Sequence, residues 1–275
     1  MSRFQYVTVG HVTVDVMSAD GSRRPGGGAF YSALQAARLG LRTLIVTKGA
    51  PGELRELLAP FAHELQVQVL PAAHTTTLAS SGSGSARRQR VLAWAGPMDE
   101  AFEVDTEILH LAPVARETPS RWRGRAEFIG ITPQGLVREW DENGLISLVE
   151  IERERLPERY DALVVSEAEQ HCLRQAPNAI APRPGIVAIT AGANPTTVVV
   201  PDGATEQVPA RPAGHPREDL GAGDVFAAAF FIALHEGRSP ADAAAYGNAA
   251  ASVRVAGVGA GAVGDRLTIE AALTR

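Results

Sequence analysis

Short runs of β-branched and aliphatic residues recur along the chain, and turn-forming residues bound each of them. The runs span residues 6–9, 44–47, 163–165 and 186–190. They are too short for ordinary helices, and their continuous apolar character is typical of parallel strands buried on both faces. Residues 30–39 have helical periodicity and precede Gly40, a residue that favours a helix end. The alternation predicts a three-layer α/β fold, with a mainly parallel central sheet flanked by helices.

Two segments, residues 12–28 and 75–96, interrupt this alternation. Both have the pattern of exposed strands and turns, and the Ser/Gly run at residues 80–85 predicts a mobile tip in the second. Such strands inserted into an α/β domain suggest a small β-lid over a site, although two ordinary surface loops would give a similar pattern. Because 275 residues can bury one large core and no repeat or linker is visible, we expect a single domain over residues 1–275.

Composition excludes several classes of partner. The net charge is −5 and the arginines are scattered, which argues against a nucleic-acid groove. We interpret the one arginine cluster, Arg87, Arg88 and Arg90, as a solvated turn. The first residues lack the pattern of a signal peptide, and the longest apolar run, 225–234, is too short to cross a bilayer. We therefore expect no membrane partner and a cytoplasmic location.

Lys48 and Cys172 are the only lysine and the only cysteine. Lys48 has no glycine-rich lead and no following Ser or Thr, so a P-loop nucleotide site is excluded. Any bound phosphate must therefore be held by backbone amides and arginines. One cysteine cannot form an intramolecular disulfide, which suits a reducing compartment, and we expect Cys172 on a surface helix.

The strongest chemical signal is the sequence Gly221-Ala222-Gly223-Asp224, which an alanine-rich apolar run follows. Two glycines permit a tight turn whose N–H groups point into one cavity, and the helix start adds partial positive charge. This predicts an anion hole for phosphate, or for charge that develops during transfer. At the helix start, Asp224 can take a proton from an attacking hydroxyl, although an N-terminal helix cap is the alternative.

Polar or glycine-rich segments also follow the other predicted strands. They are Asp15, the turn 25–28 that enters the helix ending at Gly40, the acidic turn 166–169, the small-residue turn 190–193, and residues 132–138 with Gln134 and Arg138. Ligands of open α/β sheets bind at the carboxyl ends of the strands, so we expect several of these segments to meet there. For residues 132–138, a solvated loop with an exposed arginine is the preferred interpretation.

Taken in order along the chain, these segments resemble the ribokinase/PfkB family of carbohydrate and nucleoside kinases. The resemblance implies a ribokinase-like fold whose β-lid consists of the two irregular segments. It also implies an enzyme that transfers the γ-phosphoryl group of ATP to a hydroxyl of a small polyol, sugar, cyclitol or nucleoside, with Mg²⁺ as cofactor. Five ordered matches are far more specific than any single motif.

The resemblance assigns a role to each matching residue. Asp224 is the expected catalytic base, and the anion hole is formed by Gly221, Ala222 and Gly223. The residues expected to bind the acceptor are Asp15, Gly27, Gly28 and Tyr31. Those expected around ATP are Thr190, Gly192 and Asn248. Glu169 is expected to organise Mg²⁺ through water.

Three positions depart from the family pattern. Residues 218–220 read Glu-Asp-Leu where the family usually has Asp and Thr, and Ser166 stands in place of an Asn. Tyr31 replaces an Asn that many sugar kinases carry, which favours an acceptor other than ribose or fructose, such as a cyclitol or a nucleoside. Residues 132–138 are loosely similar to a subgroup related to inositol kinases.

The sequence leaves one other function open, argues against a second, and allows one assembly. A non-catalytic protein of the same fold, which binds a nucleotide or metabolite, stays open because of the departures at 218–220 and Tyr31. A nicotinamide dehydrogenase is set aside, since residues 10–13 after the first strand lack the glycine fingerprint. An exposed edge strand of the lid makes a homodimer through the lid possible.

Overall fold

The structure, a computed structural model, describes residues 3–17, 20–82, 86–100, 102–117, 122–152, 155–157, 159–173 and 185–274. Residues 83–85, part of the tip expected to be mobile, lie outside the described residues. In the part of the chain that is described, no helix is long and apolar enough to cross a membrane.

Fifteen strands occur within the described residues. In chain order they are β1 Phe4–Val9, β2 Thr13–Met17, β3 Arg23–Gly26, β4 Thr43–Gly49, β5 Gln66–Pro71, β6 Thr77–Ser81, β7 Arg88–Ala93, β8 Glu103–Leu111, β9 Arg123–Ile131, β10 Arg138–Trp140, β11 Ile146–Leu148, β12 Ala162–Ser166, β13 Ile186–Ala191, β14 Asn194–Val199 and β15 Thr205–Val208. The predicted strands all lie within these bounds, apart from differences of a residue or two at their ends.

Nine of the described strands form the central sheet, in the order β15-β14-β13-β12-β9-β8-β1-β4-β5. The pairs from β13 to β5 are all parallel, whereas β14 and β15 add antiparallel strands at one edge. The carboxyl ends of β1, β8, β9 and β12 therefore meet at one edge of the sheet, where the motif-bearing turns follow them. The predicted fold class is confirmed.

The described helices are α1 Gly28–Arg38, α2 Pro51–Leu58, α3 Glu167–Gln170, α4 Ala222–His235, α5 Pro240–Val255 and α6 Arg266–Leu273. Gly40 follows the end of α1 with φ 94°, as the helix-end pattern predicted. The alanine-rich α4 is buried over most of its length because α1 and α5 pack beside it on one face of the sheet. The opposite face is covered by segments around Met98, Leu156 and Leu173.

The two irregular segments lie together in a four-stranded sheet, in the order β3-β2-β6-β7, which we call the lid sheet. Strands β2 and β6 pair in parallel, while β3 and β7 pair antiparallel on either side. The β10–β11 hairpin abuts β7, since the Val91 amide donates a hydrogen bond of 2.8 Å to the Gly144 carbonyl. The role of this sheet as a lid stays a prediction.

One buried carboxylate holds the loops after β1 and β8 together. Glu117 accepts hydrogen bonds from the amides of His11 at 2.8 Å, Val114 at 2.8 Å and Ala115 at 2.6 Å. Three amide donors satisfy a carboxylate that burial would otherwise penalise. Glu117 thereby fixes the loops after β1 and β8 relative to each other.

Cys172 corrects one expectation from the sequence. It lies beyond the short helix α3 and is buried in the apolar layer with Ile151 and Leu173, so it is not on a surface helix. Burial raises the pKa of its thiol, which makes Cys172 a packing residue rather than a nucleophile.

The contact between β9 and α4 leaves no room for a side chain at Gly130. A Cβ there would lie 2.4 Å from the ring of Phe231, which is also packed against the His110 ring at 5.0 Å between centroids. We expect Gly130→Ala to lower the free energy of unfolding by about 1–3 kcal/mol through overpacking. In α2, a Cβ at Gly52 would meet nothing within 4 Å, so Gly52→Ala should not destabilise the protein. Urea unfolding of both variants tests this, and equal midpoints would contradict it.

Candidate active site at the start of helix α4

The turn before α4 depends on glycine at Gly221. This N-cap residue has φ 77°, and a Cβ on it would lie 2.4 Å from the ring of Tyr31. Gly221 has no side chain that could cap the helix, and the Ala222 amide is bonded to Asp219. The amides of Gly223 and Asp224 therefore belong to a first helical turn with no side-chain cap, and they are available to an anion.

Asp224 stands in this first turn and faces the start of α1. A Cβ on Gly28 would lie 3.0 Å from the Asp224 Oδ1 atom, so only glycine leaves space in front of the carboxylate. Burial and, to a lesser degree, the negative charge of Glu169 raise the pKa of Asp224 to about 7, against the opposing charge of Arg138. A carboxylate with this pKa is well matched to accept a proton near neutral pH.

Asp15 lies on the lid sheet, with its carboxylate packed against Gly26. A Cβ on Gly26 would fall 2.0 Å from Asp15 Oδ2, and the Thr13 hydroxyl donates a hydrogen bond of 2.7 Å to Oδ1. Burial raises the pKa of Asp15 to about 6, against the opposing effects of Thr13 and Arg138. Asp15 also raises the pKa of Asp224, so these two predicted site residues lie within electrostatic range of each other.

Two arginines that the sequence pattern did not assign to the site are within electrostatic range of the Asp15 and Asp224 carboxylates. Arg138 and Arg87 each lower the pKa of Asp15 and of Asp224. Arg138 is only 8% exposed and donates to the Val114 carbonyl at 3.0 Å and to Gln89 Oε1 at 2.9 Å. The interpretations of an exposed Arg138 and a solvated turn at Arg87 are therefore wrong. The position of Arg138 in the segment after β9 could have indicated its place at the site, because ligands bind at the carboxyl ends of parallel strands. Arg87 gave no such signal, because only the packing of the lid sheet against the segment before α4 brings it to Asp219.

Tyr31 packs against the turn before α4. Its buried ring contacts Gly221 on one side, and the guanidinium of Arg254 lies 5.3 Å from the ring centroid. Burial raises the pKa of Tyr31 to about 12, so the phenol stays protonated. Contact between Tyr31 or Gly27 and an acceptor remains a prediction; a Cβ on Gly27 would lie 2.4 Å from the His11 carbonyl.

The substituted residue Glu218 is held inside the protein. Its carboxylate accepts hydrogen bonds from Arg254 Nη2 at 3.1 Å and from the Gly259 amide at 3.0 Å. Arg254 is fully buried, so this ion pair is shielded from water and strongly fixes the segment before Gly221. The sequence could not anticipate the pairing, because the partners lie 36 residues apart.

Glu169 forms a capping box with the residue that replaces the family's Asn. The Ser166 amide donates to Glu169 Oε2 at 2.9 Å, and the Glu169 amide donates to Ser166 Oγ at 3.3 Å. Among the described residues, no group of three or more His, Cys, Asp or Glu side chains is placed to hold a metal ion. Glu169 offers a single fixed carboxylate within electrostatic range of Asp224. One such carboxylate is compatible with a metal held mainly through water and donor phosphates.

The residues expected around ATP have mixed surroundings. Gly192 is open, with φ 63° and nothing within 4 Å of a Cβ, and the Thr190 hydroxyl donates to the Val165 carbonyl at 3.3 Å. The Asn248 amide donates to the Pro209 carbonyl at 3.0 Å and its oxygen accepts from Thr196 at 2.8 Å. Asn248 thus ties α5 to β14 and to the segment after β15, and its contact with a nucleotide stays a prediction.

Lys48 takes no part in this arrangement. Its ammonium group donates to the Pro97 carbonyl at 2.8 Å and pairs with Glu100 at 2.7 Å. The positive charges near Asp224 come from arginines, as the lack of a P-loop had predicted.

A sequence comparison and a fold comparison agree with this geometry. Residues 154–265 match the profile of the pfkB family carbohydrate kinases, a segment that contains the turn at Gly221 and the helix after it. No curated protein sequence matches the chain significantly.

Several solved structures share the fold over nearly the whole chain. A pyrophosphate-dependent kinase in the ribokinase family, complexed with a pyrophosphate analogue and myo-inositol, has a TM-score of 0.77 at 22% identity and covers 98% of this chain and 100% of its own. Arabidopsis thaliana ribokinase, complexed with ribose and ATP, has a TM-score of 0.73 at 17% identity, with 100% of each chain covered. A Burkholderia thailandensis nucleoside kinase in complex with inosine has a TM-score of 0.73 at 17% identity, with 98% and 96% covered.

Residues 154–265 are thus similar to the pfkB family carbohydrate kinases, and the whole chain shares the fold of ribokinase-family structures.

The electrostatics of Asp224 can be measured directly. We expect its carboxyl carbon to titrate with an apparent pKa near 7 in ¹³C NMR, because the group is buried beside Glu169. Glu169→Gln keeps a side chain suited to the capping box but removes the charge, so the pKa of Asp224 should fall. Asp265, an N-cap whose pKa is lowered by Thr268, is the internal control. Titration of Asp224 below pH 5 in the wild-type protein would contradict the arrangement.

Proposed function

We propose that the protein is a kinase that transfers a phosphoryl group to a hydroxyl of a small polyol, sugar or nucleoside, with Asp224 as the base. The observation that carries the proposal is the position of Asp224. It lies in the uncapped first turn of α4, behind the open face of Gly28 and within electrostatic range of Asp15 and Arg138. A base, an anion hole and cationic side chains thus occupy the same small region, as phosphoryl transfer requires.

The transfer step follows from this arrangement. The acceptor hydroxyl loses its proton to the Asp224 carboxylate while its oxygen forms a bond to the terminal phosphorus of the donor. The bond between that phosphorus and the bridging oxygen breaks, and its electron pair stays on the departing phosphate of the donor. The amides of Gly223 and Asp224 hold the oxygens of the transferred group, where negative charge accumulates.

Asp15 and the inner face of the lid sheet form the proposed acceptor site. Asp15 can accept hydrogen bonds from hydroxyls, while Gly27 and Gly28 let an acceptor approach the backbone. Gln89 lines the same face, and it already bonds to Ser80 at 3.0 Å and to Arg138. Because Asp15, Gln89 and Arg138 present polar groups on this face, it suits a cyclitol or another small polyol, which carries a hydroxyl on most of its carbons. The myo-inositol in the structurally similar kinase supports this class.

ATP is the proposed donor, with its base near Gly192 and α5. The open Gly192 turn supports this position, and Thr190 stands at the end of the same strand. Inorganic pyrophosphate is the alternative donor, which the similar pyrophosphate-dependent kinase suggests and which needs no base pocket. A donor panel of MgATP and pyrophosphate, assayed with polyols, sugars and nucleosides, separates the two.

Magnesium is the proposed metal, held by Glu169 through water. When bound, Mg²⁺ neutralises phosphate charge. Glu169 acts on the protein side by fixing the turn after β12 and by raising the pKa of Asp224.

Non-catalytic binding is the second candidate, and the departures at residues 218–220 motivate it. Glu218 is bonded to Arg254 and Gly259, and Asp219 is ion-paired with Arg87. The negative charge of each residue is therefore compensated, and neither should repel a phosphate at the proposed anion hole. Catalysis is therefore favoured. Phosphate transfer with and without the acceptor panel decides between the two functions.

A homodimer through the lid is the proposed assembly. Near strand β7 and the adjoining hairpin lie exposed apolar side chains, of which Leu92 is 57% exposed. They also include Trp94, Leu145 and Leu148. Burying such a patch against a second copy would stabilise an edge that is otherwise prone to non-specific pairing. Sedimentation of the wild-type protein and of Leu92→Asp tests this assembly.

The lid should become more ordered when the acceptor binds. Asp15 on β2 belongs to the same sheet as β6 and β7, so an acceptor held by Asp15 restrains all three strands. We expect slower amide hydrogen exchange in β6 and β7 when the acceptor is saturating, with no change in β14 and β15 as the internal control. Unchanged exchange in β6 and β7 would count against a lid.

Asp224→Asn tests the proposed base. Asn keeps the size of the side chain but cannot take the proton, so we expect normal folding, similar donor binding and a loss of about 10²- to 10⁴-fold in turnover. Asp265→Asn is the matched control, because Asp265 also stands at a helix start but caps α6 at the surface. If Asp224 were only a helix cap, its Asn variant would turn over as fast as the control.

A further inference from the structure

Two ion pairs join the lid sheet to the residues directly before the anion hole. Arg24 on β3 lies 3.5 Å from Glu218, and Arg87 just before β7 is paired with Asp219. Both acidic residues belong to the stretch that departs from the family pattern. The lid is thus connected through charge to the segment that ends at Gly221.

The two pairs are not equivalent. Glu218 is already held by Arg254 and by the Gly259 amide, so Arg24 is one partner among several. Arg87 also influences the site beyond Asp219, since it lowers the pKa of both Asp15 and Asp224. Its guanidinium is therefore within electrostatic range of both carboxylates of the proposed site.

Alternation along β7 places Arg87 on the inner face of the lid. Arg88, Arg90 and Leu92 are exposed, whereas Gln89 and Val91 are turned inward, and Arg87 precedes them in the inward register. On that face Gln89 bonds to Arg138, the buried arginine of the site. Arg87 and Arg138 thus approach Asp224 from the same side of the lid.

We propose that Arg87 is a catalytic residue that exchanges Asp219 for the transferred phosphoryl group when the donor binds. This inference rests on the proposed kinase function. The pair between Arg87 and Asp219 joins side chains that are 24% and 35% exposed, and partly hydrated pairs of this kind are weak. A phosphate at the amides of Gly223 and Asp224 carries more charge than Asp219, and it matches the planar fork of a guanidinium.

Asp219 then has a defined part in the exchange. It holds Arg87 near the anion hole before the donor arrives and competes for Arg87 once phosphate is bound. Arg87 gives up no proton during the transfer. It neutralises charge on the phosphoryl oxygens while the acceptor oxygen bonds to phosphorus and the leaving oxygen keeps the electron pair.

The test compares Arg87→Gln with Arg87→Lys, Asp219→Asn and the control Arg88→Gln. Arg88 is exposed, and its side chain donates to the Arg87 carbonyl at 3.4 Å, so the control changes the same strand outside the site. We expect Arg87→Gln to lower turnover about 10²- to 10³-fold with little change in the acceptor KM, and Lys to restore part of the loss. Arg88→Gln should stay within about twofold of wild type.

Donor binding supplies a readout that does not need turnover. Calorimetry with inorganic pyrophosphate and with MgATP, in the absence of acceptor, should show at least about tenfold weaker binding of the active donor to Arg87→Gln. Asp219→Asn removes the competitor, so it should bind that donor as tightly as wild type or more tightly. Arg88→Gln should bind as wild type does.

The outcomes separate this inference from the kinase proposal. If wild-type protein transfers phosphate and Arg87→Gln does so at a similar rate, the inference is wrong and the kinase stands. If Arg87→Gln raises only the acceptor KM and leaves donor binding unchanged, Arg87 merely closes the lid, and the inference is again overturned. If wild-type protein transfers phosphate from neither donor while Asp224→Asn behaves identically, the kinase proposal fails and takes this inference with it.

Discussion

The close approach between the starts of α1 and α4 is the constraint on which the site depends. Gly28 leaves the space in front of the Asp224 carboxylate, and Gly221 rests on the ring of Tyr31. A side chain at either glycine would press on the other helix start, because the nearest atom to Gly28 belongs to Asp224 and the nearest atoms to Gly221 belong to the Tyr31 ring. Asp224, the uncapped amides at the start of α4 and the backbone at Gly28 are thus positioned by one contact.

Electrostatics in this region is a balance between buried charges of opposite sign. Burial raises the pKa of both Asp224 and Asp15. The charges of Glu169 and Asp15 add to the rise for Asp224, and the charge of Glu218 adds to the rise for Asp15. Arg138 and Arg87 counter that effect, and Arg138 does so from a position closed to solvent. The result is a carboxyl group, Asp224, whose pKa lies near neutrality and which is within electrostatic range of two arginines. A carboxylate at an ordinary helix cap would remain far more acidic.

The lid sheet is joined to two parts of the proposed site. It carries Asp15, the proposed ligand of the acceptor, and ion pairs of Arg87 with Asp219 and of Arg24 on β3 with Glu218 join it to the segment before Gly221. Glu218 is in turn fixed by the fully buried Arg254. The acidic stretch before Gly221 therefore departs from the family pattern in residue type while it keeps the turn anchored. Its extra negative charge is matched by arginines on the lid and on α5.

Sequence alone determined the parallel strands, the helix end at Gly40 and the turn before Asp224, because each is a local pattern that few backbone conformations satisfy. It also placed Asp15 and Glu169 after strands, where parallel topology brings side chains together. The tertiary structure decided the surroundings of Arg87, Arg138 and Asn248. Their partners lie far away in sequence, as Arg87 and Asp219 do across 132 residues. Such pairings depend on how the lid sheet and α5 pack against the central sheet, and no local pattern encodes that packing.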